Sequence, residues 1–183
     1  MTNIYNDITL ILVTYRSETL ILKNLKVLKK FPVVIIDNSN SDELEKITLG
    51  YKNIDFFRSS KNLGYGVANN LGVSRATTPF ILIINPDILI DEDAISDLFK
   101  NFLNDPENIG ILGPSLYDKK LHRRTNGTIS YLDQLNGVKV SNISNNIPSY
   151  NTCCKFLMGC CYLMHRDFFN SLGGFDKNFF MYF

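Results

Sequence analysis

The chain has 183 residues, of which 45% are hydrophobic and 20% charged, a composition that suits one folded domain with a buried core. The net charge of +1 excludes nucleic-acid binding through a strong overall positive field. The longest apolar runs, 8–13, 80–84 and 156–164, are too short to span a bilayer, and residues 1–7 lack the basic flank of a signal peptide, so a cytoplasmic protein is expected.

Short apolar runs alternate with amphipathic stretches through the first two thirds of the chain. Strands are predicted over residues 8–13, 33–36, 54–57, 80–84 and 109–112. Helices are predicted directly after Ser17, which would cap the first, from a start at 41–45, and over 65–75. A further helix is predicted after Asp91 as its cap, with Ile95, Leu98, Phe99 and Phe102 on one face. Strands separated by helices of about ten residues predict an α/β fold with a mostly parallel sheet.

The pattern changes in the last third of the chain. Residues of about 117–152 are rich in Asn, Ser, Gly and Lys, and we expect a surface excursion from a single domain that spans 1–183. A strand-like run over 153–164 and a helix over 166–172 follow, and Gly173-Gly174 ends that helix. Because the pairs Cys153-Cys154 and Cys160-Cys161 match no metal or redox spacing, they are interpreted as buried reduced thiols.

Polar residues follow three of the predicted strands, at the edge where open parallel sheets bind ligands. They are Thr14-Tyr15-Arg16, Asp37-Asn38-Ser39 and Asn85-Pro86-Asp87. A carboxylate after the second strand can accept a hydrogen bond from a base or ribose, and one after the fourth can hold a divalent ion that bridges phosphates.

Other interpretations of these residues stay open. Asp37 and Asp91 also suit helix caps, and Asn62 with Gly64 suits the turn into a helix. The Gly64-x-Gly66 pair follows the third strand and is an incomplete dinucleotide fingerprint, which argues against an NAD site. A phosphatase with Asp37 as nucleophile would need an acid two residues later, where Ser39 stands.

Six segments in order carry a resemblance to a known family. They are ILVTYRS at 11–17, VVIIDNSNSD at 33–42, KNLGYGVANNLGVSRA at 61–76, PFILIINPDILI at 79–90, GILGPSLYD at 110–118 and FLMGCCYLMHRDFFNSLGGFDKNFFMYF at 156–183. The chain resembles the family 2 inverting glycosyltransferases, especially the rhamnosyltransferase-like branch, over nearly its whole length except about 126–152. The resemblance implies a GT-A fold that binds a nucleoside-diphosphate sugar, such as dTDP-rhamnose or a UDP-sugar, for transfer to a glycan or lipid-linked glycan.

The resemblance also implies roles for individual residues. Thr14 and Tyr15 would line the nucleotide pocket, Asp37 would bind the base, and Asn62, Gly64 and Asn70 would hold the ribose and diphosphate. Asn85-Pro86-Asp87 stands where relatives carry Asp-x-Asp, so Asp87 would bind Mg²⁺ or Mn²⁺. Gly159 would let the backbone approach the sugar. Arg123 and Arg124 would reach toward the donor, and two solvated loop arginines are an equal alternative.

The main departure from the family pattern is that the given sequence does not include the residues of the expected catalytic base. In relatives an acidic pair follows the equivalent of Phe183, so we expect a chain truncated before the base, without the acceptor-side part and with little turnover. Asp176 is expected to orient a turn instead. The alternative is a nucleotide-sugar-binding module without activity, or a subunit that works beside a partner. The apolar end at 179–183 suggests self-association, and a lipid-borne acceptor would place the protein at the inner face of a membrane.

Overall fold

The structure is a computed structural model that describes residues 3–104, 109–114, 116–118, 123–125, 157 and 159–181. The chain divides into two compact units, one of Met1–Leu112 with Cys160–Phe183 and one of Gly113–Gly159. The range of the second unit includes the whole of the predicted excursion. Residues 119–122 and 126–152 of that excursion, and Cys153 with Cys154, lie outside the described residues. The single-domain organisation stays a prediction.

Eight strands lie in the described part of the chain. They are β1 (Ile8–Thr14), β2 (Val33–Asp37), β3 (Ile54–Arg58), β4 (Phe80–Ile84), β5 (Ile111–Leu112), β6 (Leu116–Asp118), β7 (Arg123–Thr125) and β8 (Cys161–His165). Six of them form one sheet in the first unit, in the order β3-β2-β1-β4-β8-β5. The strands β1 to β4 are parallel, which confirms the predicted α/β architecture.

The four parallel strands match their predicted ranges within one residue at the carboxyl end. β1 extends to Thr14, β2 to Asp37 and β3 to Arg58, while β4 has the predicted bounds. Every residue of β2 is buried, because a parallel sheet is covered by helices on both faces. The polar residues that were expected beyond these strands therefore lie at or directly after their ends.

Strand β8 is shorter than the predicted run over 153–164 and runs antiparallel to its neighbours. It begins at Cys161 and pairs with β4, so that Cys161 lies opposite Ile84, and it also pairs with β5. Gly159 and Cys160, which were predicted within the strand, lie in a turn before it. The reversal brings the start of β8 to the same edge of the sheet as the carboxyl end of β4.

Six helices accompany the strands in the described residues. They are α1 (Ile4–Asp7), α2 (Glu18–Leu28), α3 (Glu43–Thr48), α4 (Tyr65–Arg75), α5 (Glu92–Asn104) and α6 (Arg166–Ser171). The α4 bounds and the buried face of α5 were both predicted. Asp91 caps α5 as predicted, since its Oδ1 accepts a hydrogen bond from Ala94 N at 2.8 Å. Among the helices of the described ranges, none has the length and apolar character needed to cross a membrane.

Ser17 is the N-cap residue of α2, as predicted, but only its backbone carbonyl bonds to the helix. Ser17 precedes α2, but its side chain makes no capping hydrogen bond to the helix. Its hydroxyl donates to Tyr15 O at 3.1 Å and accepts from Tyr15 N at 3.3 Å. The hydroxyl therefore stabilises the turn that leaves β1, because a local backbone partner competes with the helix for it.

The segment 174–181, which follows α6, is held along α4 by hydrogen bonds at two places. The Asn70 side chain donates to Phe175 O and accepts from Phe175 N, both at 2.8 Å. Tyr65 N donates to Phe180 O at 2.8 Å. Because Asn70 binds both backbone groups of one residue, it fixes the direction in which the segment leaves α6.

The end of this segment is apolar and half exposed. Phe179, Phe180 and Met181 each keep about half of their surface accessible. Burying such side chains against a second molecule would be favourable. Self-association through this end stays a prediction.

The second unit contains a two-stranded antiparallel sheet. Strand β6 pairs antiparallel with β7, and Tyr117 lies opposite Arg124. Neither strand was predicted from the sequence, because three-residue strands are too short to show an alternating pattern.

Gly174 and Gly173 form a matched pair that tests the Asn70 contact. Both have positive φ, +73° and +81°, but an added Cβ at Gly174 would lie 2.6 Å from Asn70 Oδ1, whereas at Gly173 it would meet nothing within 4 Å. We expect Gly173→Ala to lower the free energy of unfolding by about 1 kcal/mol through backbone strain. Gly174→Ala should lower it by about 1–2 kcal/mol more through the clash. Urea denaturation measures both values, and equal losses would contradict the packing described here.

Candidate functional site

The buried carboxylate of Asp37 organises the carboxyl edge of β1 and β2. Thr14 lies opposite Asp37 in the parallel register, and its Oγ1 donates to Asp37 Oδ1 at 2.9 Å. Ser39 Oγ donates to the other oxygen at 2.5 Å. Asp37 does not cap a helix, since α3 begins six residues later. The side chain is 0% exposed, so it positions Thr14 and Ser39, and its direct contact with a base stays a prediction.

Tyr15 and Arg16 present an aromatic ring and a cation directly after β1. The Tyr15 ring is half exposed, and the Arg16 guanidinium carbon lies 5.6 Å from its centre. Arg16 has a φ of +51°, a conformation that costs a non-glycine residue about 1 kcal/mol. Such strain is found most often at functional sites. This corner can offer a flat face to a base and a positive charge to an anion.

The loop between β3 and α4 is tied to the end of β2. Asn38 Oδ1 accepts from Leu63 N at 3.2 Å, and Asn38 Nδ2 donates to Gly64 O at 3.4 Å. Asn62 Oδ1 accepts from Gly64 N at 2.9 Å, which confirms that Asn62 helps to make the turn into α4. The loop therefore lies beside Asp37 at the same edge.

Three predicted donor-binding residues, Asn62, Gly64 and Asn70, have structural roles in this part of the molecule. Gly64 has a φ of +77°, and a Cβ there would lie 2.2 Å from Phe180 O, so the position requires glycine. Asn70 holds Phe175, as described above. These contacts explain the residue types without a ligand, and contacts with a donor stay predictions for all three.

Asp87 is an exposed carboxylate in the loop after β4. It has no hydrogen-bonded or ion-paired partner within the described ranges. Asn85 N donates to Cys160 O at 2.8 Å, and Ile88 N donates to Asn85 O at 3.1 Å, so the loop is anchored to the turn before β8. Burial raises the pKa of the Cys160 thiol, and the negative charge of Asp87 raises it further.

The loop 85–88 is also held from α2. Asn24 is 4% exposed, and its Nδ2 donates to Pro86 O at 3.2 Å and to Ile88 O at 2.9 Å. Asn24 was not among the site residues predicted from the sequence. The available signal was an asparagine between the apolar positions Ile21 and Leu28 of one helix face.

The metal-ligating side chains at this edge fit a divalent ion that is held partly by the protein and partly by a bound substrate. Among the described residues no group of three or more His, Cys, Asp or Glu side chains is placed to hold a metal. A hard, unpaired carboxylate such as Asp87 suits Mg²⁺ or Mn²⁺, and such ions are often held by one or two carboxylates together with substrate phosphates. Asp87 would supply the protein ligand, and Asn85 is the neighbouring polar residue.

Two predicted site residues belong to the second unit. Gly159 is exposed, and a Cβ there would meet no heavy atom within 4 Å. Arg124 lies in β7, with Arg123 beside it. Their predicted contacts with a donor stay predictions.

The thiol and phenol groups around the start of β8 stay neutral. Cys160 and Cys161 are free thiols, and Cys161 is buried as predicted, whereas Cys160 is only half-buried. Burial raises the pKa of Cys161 to about 12, and the neighbouring Cys160 adds to the effect. Burial likewise raises the pKa of Tyr65 and Tyr162, whose hydroxyls are 3.5 Å apart. None of these groups is an ionised nucleophile at neutral pH.

Comparison with known proteins identifies related chains. Residues 9–173 match the family described as "Glycosyl transferase family 2". The low-salt glycan biosynthesis hexosyltransferase Agl10 of Haloferax volcanii is 26% identical over 97% of this chain and 59% of its own length. The poly-beta-1,6-N-acetyl-D-glucosamine synthase of Staphylococcus aureus is 29% identical over 73% of this chain and 35% of its own length. The chain thus spans only part of the curated relatives that it matches.

Solved structures share the fold. Mannosyltransferase PcManGT from Pyrobaculum calidifontis, in complex with GDP-Man and Mn2+, aligns with a TM-score of 0.62 and 19% identity over 93% of this chain and 48% of its own. S. aureus TarS 1-349 in complex with UDP aligns with a TM-score of 0.58 and 16% identity over 95% of this chain and 51% of its own. At these identities the likeness shows the fold, which is the GT-A fold with its mostly parallel six-stranded sheet.

The raised pKa of Cys161 predicts that the chain loses stability at high pH. The folded state keeps the proton up to about pH 12, whereas the unfolded thiol loses it near pH 9, so the unfolded state binds fewer protons between these values. The free energy of unfolding should fall by about 1.4 kcal/mol per pH unit in that window through this group. Denaturation at several pH values measures the slope, and Cys161→Ala should reduce it. An unchanged slope in Cys161→Ala would contradict the burial of this thiol.

Proposed function

Because the chain belongs to glycosyl transferase family 2, we propose that it forms the donor-binding part of an enzyme that transfers a sugar from a nucleoside diphosphate to a glycan. One observation carries the proposal. The exposed, unpaired Asp87 follows β4 at the same sheet edge where β1 ends at Thr14 and β2 ends at Asp37, with Asn38 directly after it. Ligands of open parallel sheets bind at this edge.

The arrangement supports a division of roles between the two sides of the edge. On the β1 and β2 side, the Tyr15 ring offers a stacking face for a base, and Thr14 and Ser39 are fixed by Asp37. Arg16 offers its cation to the anionic part of the donor. On the β4 side, Asp87 would hold Mg²⁺ or Mn²⁺. A bound divalent ion stabilises the negative charge that grows on a departing diphosphate.

We also propose the chemical class of the sugar donor and of the acceptor. The relatives include a hexosyltransferase and a poly-beta-1,6-N-acetyl-D-glucosamine synthase, so we propose a UDP- or dTDP-linked hexose as the donor and include the rhamnose that the sequence resemblance suggests. A glycan or lipid-linked glycan is the proposed acceptor. We place the reaction in the cytoplasm, at the inner face of a membrane when the acceptor is lipid-borne.

The proton acceptor of the reaction is not assigned to a described residue. Asp176 orients a turn, as expected, because its Oδ1 accepts from Asn178 N at 2.9 Å. The predicted roles of Gly159 and Arg124 near the sugar remain part of the proposal.

Nucleotide titration tests the proposal with a matched pair of aspartates. We expect UDP or dTDP to bind more tightly with Mn²⁺ than without it, because Asp87 would hold the ion, whose positive charge would attract the diphosphate. Asp87→Ala should abolish this metal effect. Calorimetry of the wild-type chain and the variant, each with and without Mn²⁺, measures it.

Asp91→Ala provides the control. Asp91 lies four residues from Asp87 and caps α5, so its loss should cost about 1 kcal/mol of stability while the metal effect on nucleotide binding persists. A wild-type chain that binds neither nucleotide while folded by circular dichroism would refute the proposal, as would a metal effect that survives Asp87→Ala.

A further inference from the structure

Asn24 makes two hydrogen bonds to the loop, one on each side of Asp87. Its side-chain nitrogen donates to the carbonyl oxygens of Pro86 and Ile88, the residues directly before and after the aspartate. Asn24 lies on the same face of α2 as Ile21 and Leu28, which are buried in the core. The packing of the helix therefore fixes the position of the Asn24 amide. The amide in turn fixes the loop at the residue before Asp87 and at the residue after it.

The position of the Asp87 carboxylate depends on its backbone. The side chain is exposed and has no hydrogen-bonded or ion-paired partner among the residues that the structure describes. What fixes it is the loop, which is bound at Asn85 to Cys160 and on both sides of Asp87 to Asn24. Since the Asn24 amide is neutral and its hydrogen bonds go to backbone carbonyls of the loop, it acts on Asp87 through geometry.

Asn24 also links the two sides of the edge. Helix α2 begins directly after the turn of Tyr15, Arg16 and Ser17, so the same rigid element carries the β1 corner and holds the loop after β4. Asparagine lowers the stability of a helix interior by about 0.5 kcal/mol relative to alanine. Its place in this apolar face is explained by the two carbonyl groups that would otherwise lose their partner.

We propose that Asn24 is a positioning residue for the metal-binding carboxylate: its amide holds the loop on both sides of Asp87 so that a divalent ion and a donor diphosphate meet the carboxylate in one geometry. The inference rests on the proposed function, because it assumes that Asp87 binds the ion. Residues that orient a metal ligand without touching the metal commonly change metal affinity when they are replaced.

Asn53 supplies a matched control at the other edge of the sheet. Its Nδ2 also donates to two backbone carbonyls, Leu28 O at 2.9 Å and Phe31 O at 2.6 Å. Asn53 precedes β3 and its own carbonyl accepts from Val33 N, which places it at the start of the parallel strands, away from Asp87. Replacing Asn24 or Asn53 by alanine removes the same kind of interaction, so a general loss of stability affects both variants alike.

The test measures UDP affinity with and without Mn²⁺ in the wild-type chain, Asn24→Ala and Asn53→Ala. For Asn24→Ala we expect the Mn²⁺ enhancement to fall by about tenfold, while the affinity without Mn²⁺ stays as in the wild type. Asn53→Ala should keep the full enhancement. Hydrogen exchange without ligand should show faster exchange at Ile88 N in Asn24→Ala and an unchanged rate in Asn53→Ala. If Asn24→Ala does not fold, Asn24→Ser, which keeps one donor, should show an intermediate enhancement.

Each outcome decides the inference. The expected pattern supports it. An unchanged enhancement in Asn24→Ala, or an equal loss in Asn53→Ala, overturns it while leaving the proposed donor site standing. A wild-type chain that shows no Mn²⁺ enhancement overturns the assigned role of Asp87 and this inference together.

Discussion

The register of the parallel strands β1 and β2 determines how the candidate site is built. It places Thr14 opposite Asp37, where a hydrogen bond of 2.9 Å joins their side chains in a fully buried setting. A slip of one residue would turn the buried side chains of either strand to the opposite face and separate this pair. Asp37 then fixes Ser39, and Asn38 fixes the loop before α4, so the arrangement of the edge follows from strand pairing.

Side-chain amides of asparagines hold the segments that strand pairing does not fix. Asn24, Asn53 and Asn70 each bind two backbone groups of segments far away in sequence, and each holds a loop or a chain segment against the sheet and its helices. A buried backbone group without a partner costs free energy comparable to a lost hydrogen bond. Irregular segments near the core therefore depend on such side chains where helix and strand bonds are absent.

Local patterns predicted most of the parallel core, and long-range contacts account for what was missed. The bounds of α4 and β4 and the cap at Asp91 follow from periodicity and capping chemistry within a few residues. The role of Asn24 depends on a partner 62 residues away, and that of Asn70 on one 105 residues away, distances at which one sequence carries no periodic signal. The residues near Asp37 and Asp87 were predicted because the apolar pattern shows where each strand ends. The long-range contacts that position these residues leave no such pattern and were not predicted.

The location of the bound ion tests the account most directly. Mn²⁺ is paramagnetic and broadens the NMR signals of nearby amides, so adding it with UDP to the labelled chain reports where it binds. The account predicts broadening at Asn85, Asp87 and Cys160, with sharp signals retained at Asn53 and Val33 at the other edge of the sheet. Broadening centred elsewhere, or none at Asp87 under conditions in which UDP binds, would contradict the assignment of this edge as the donor site.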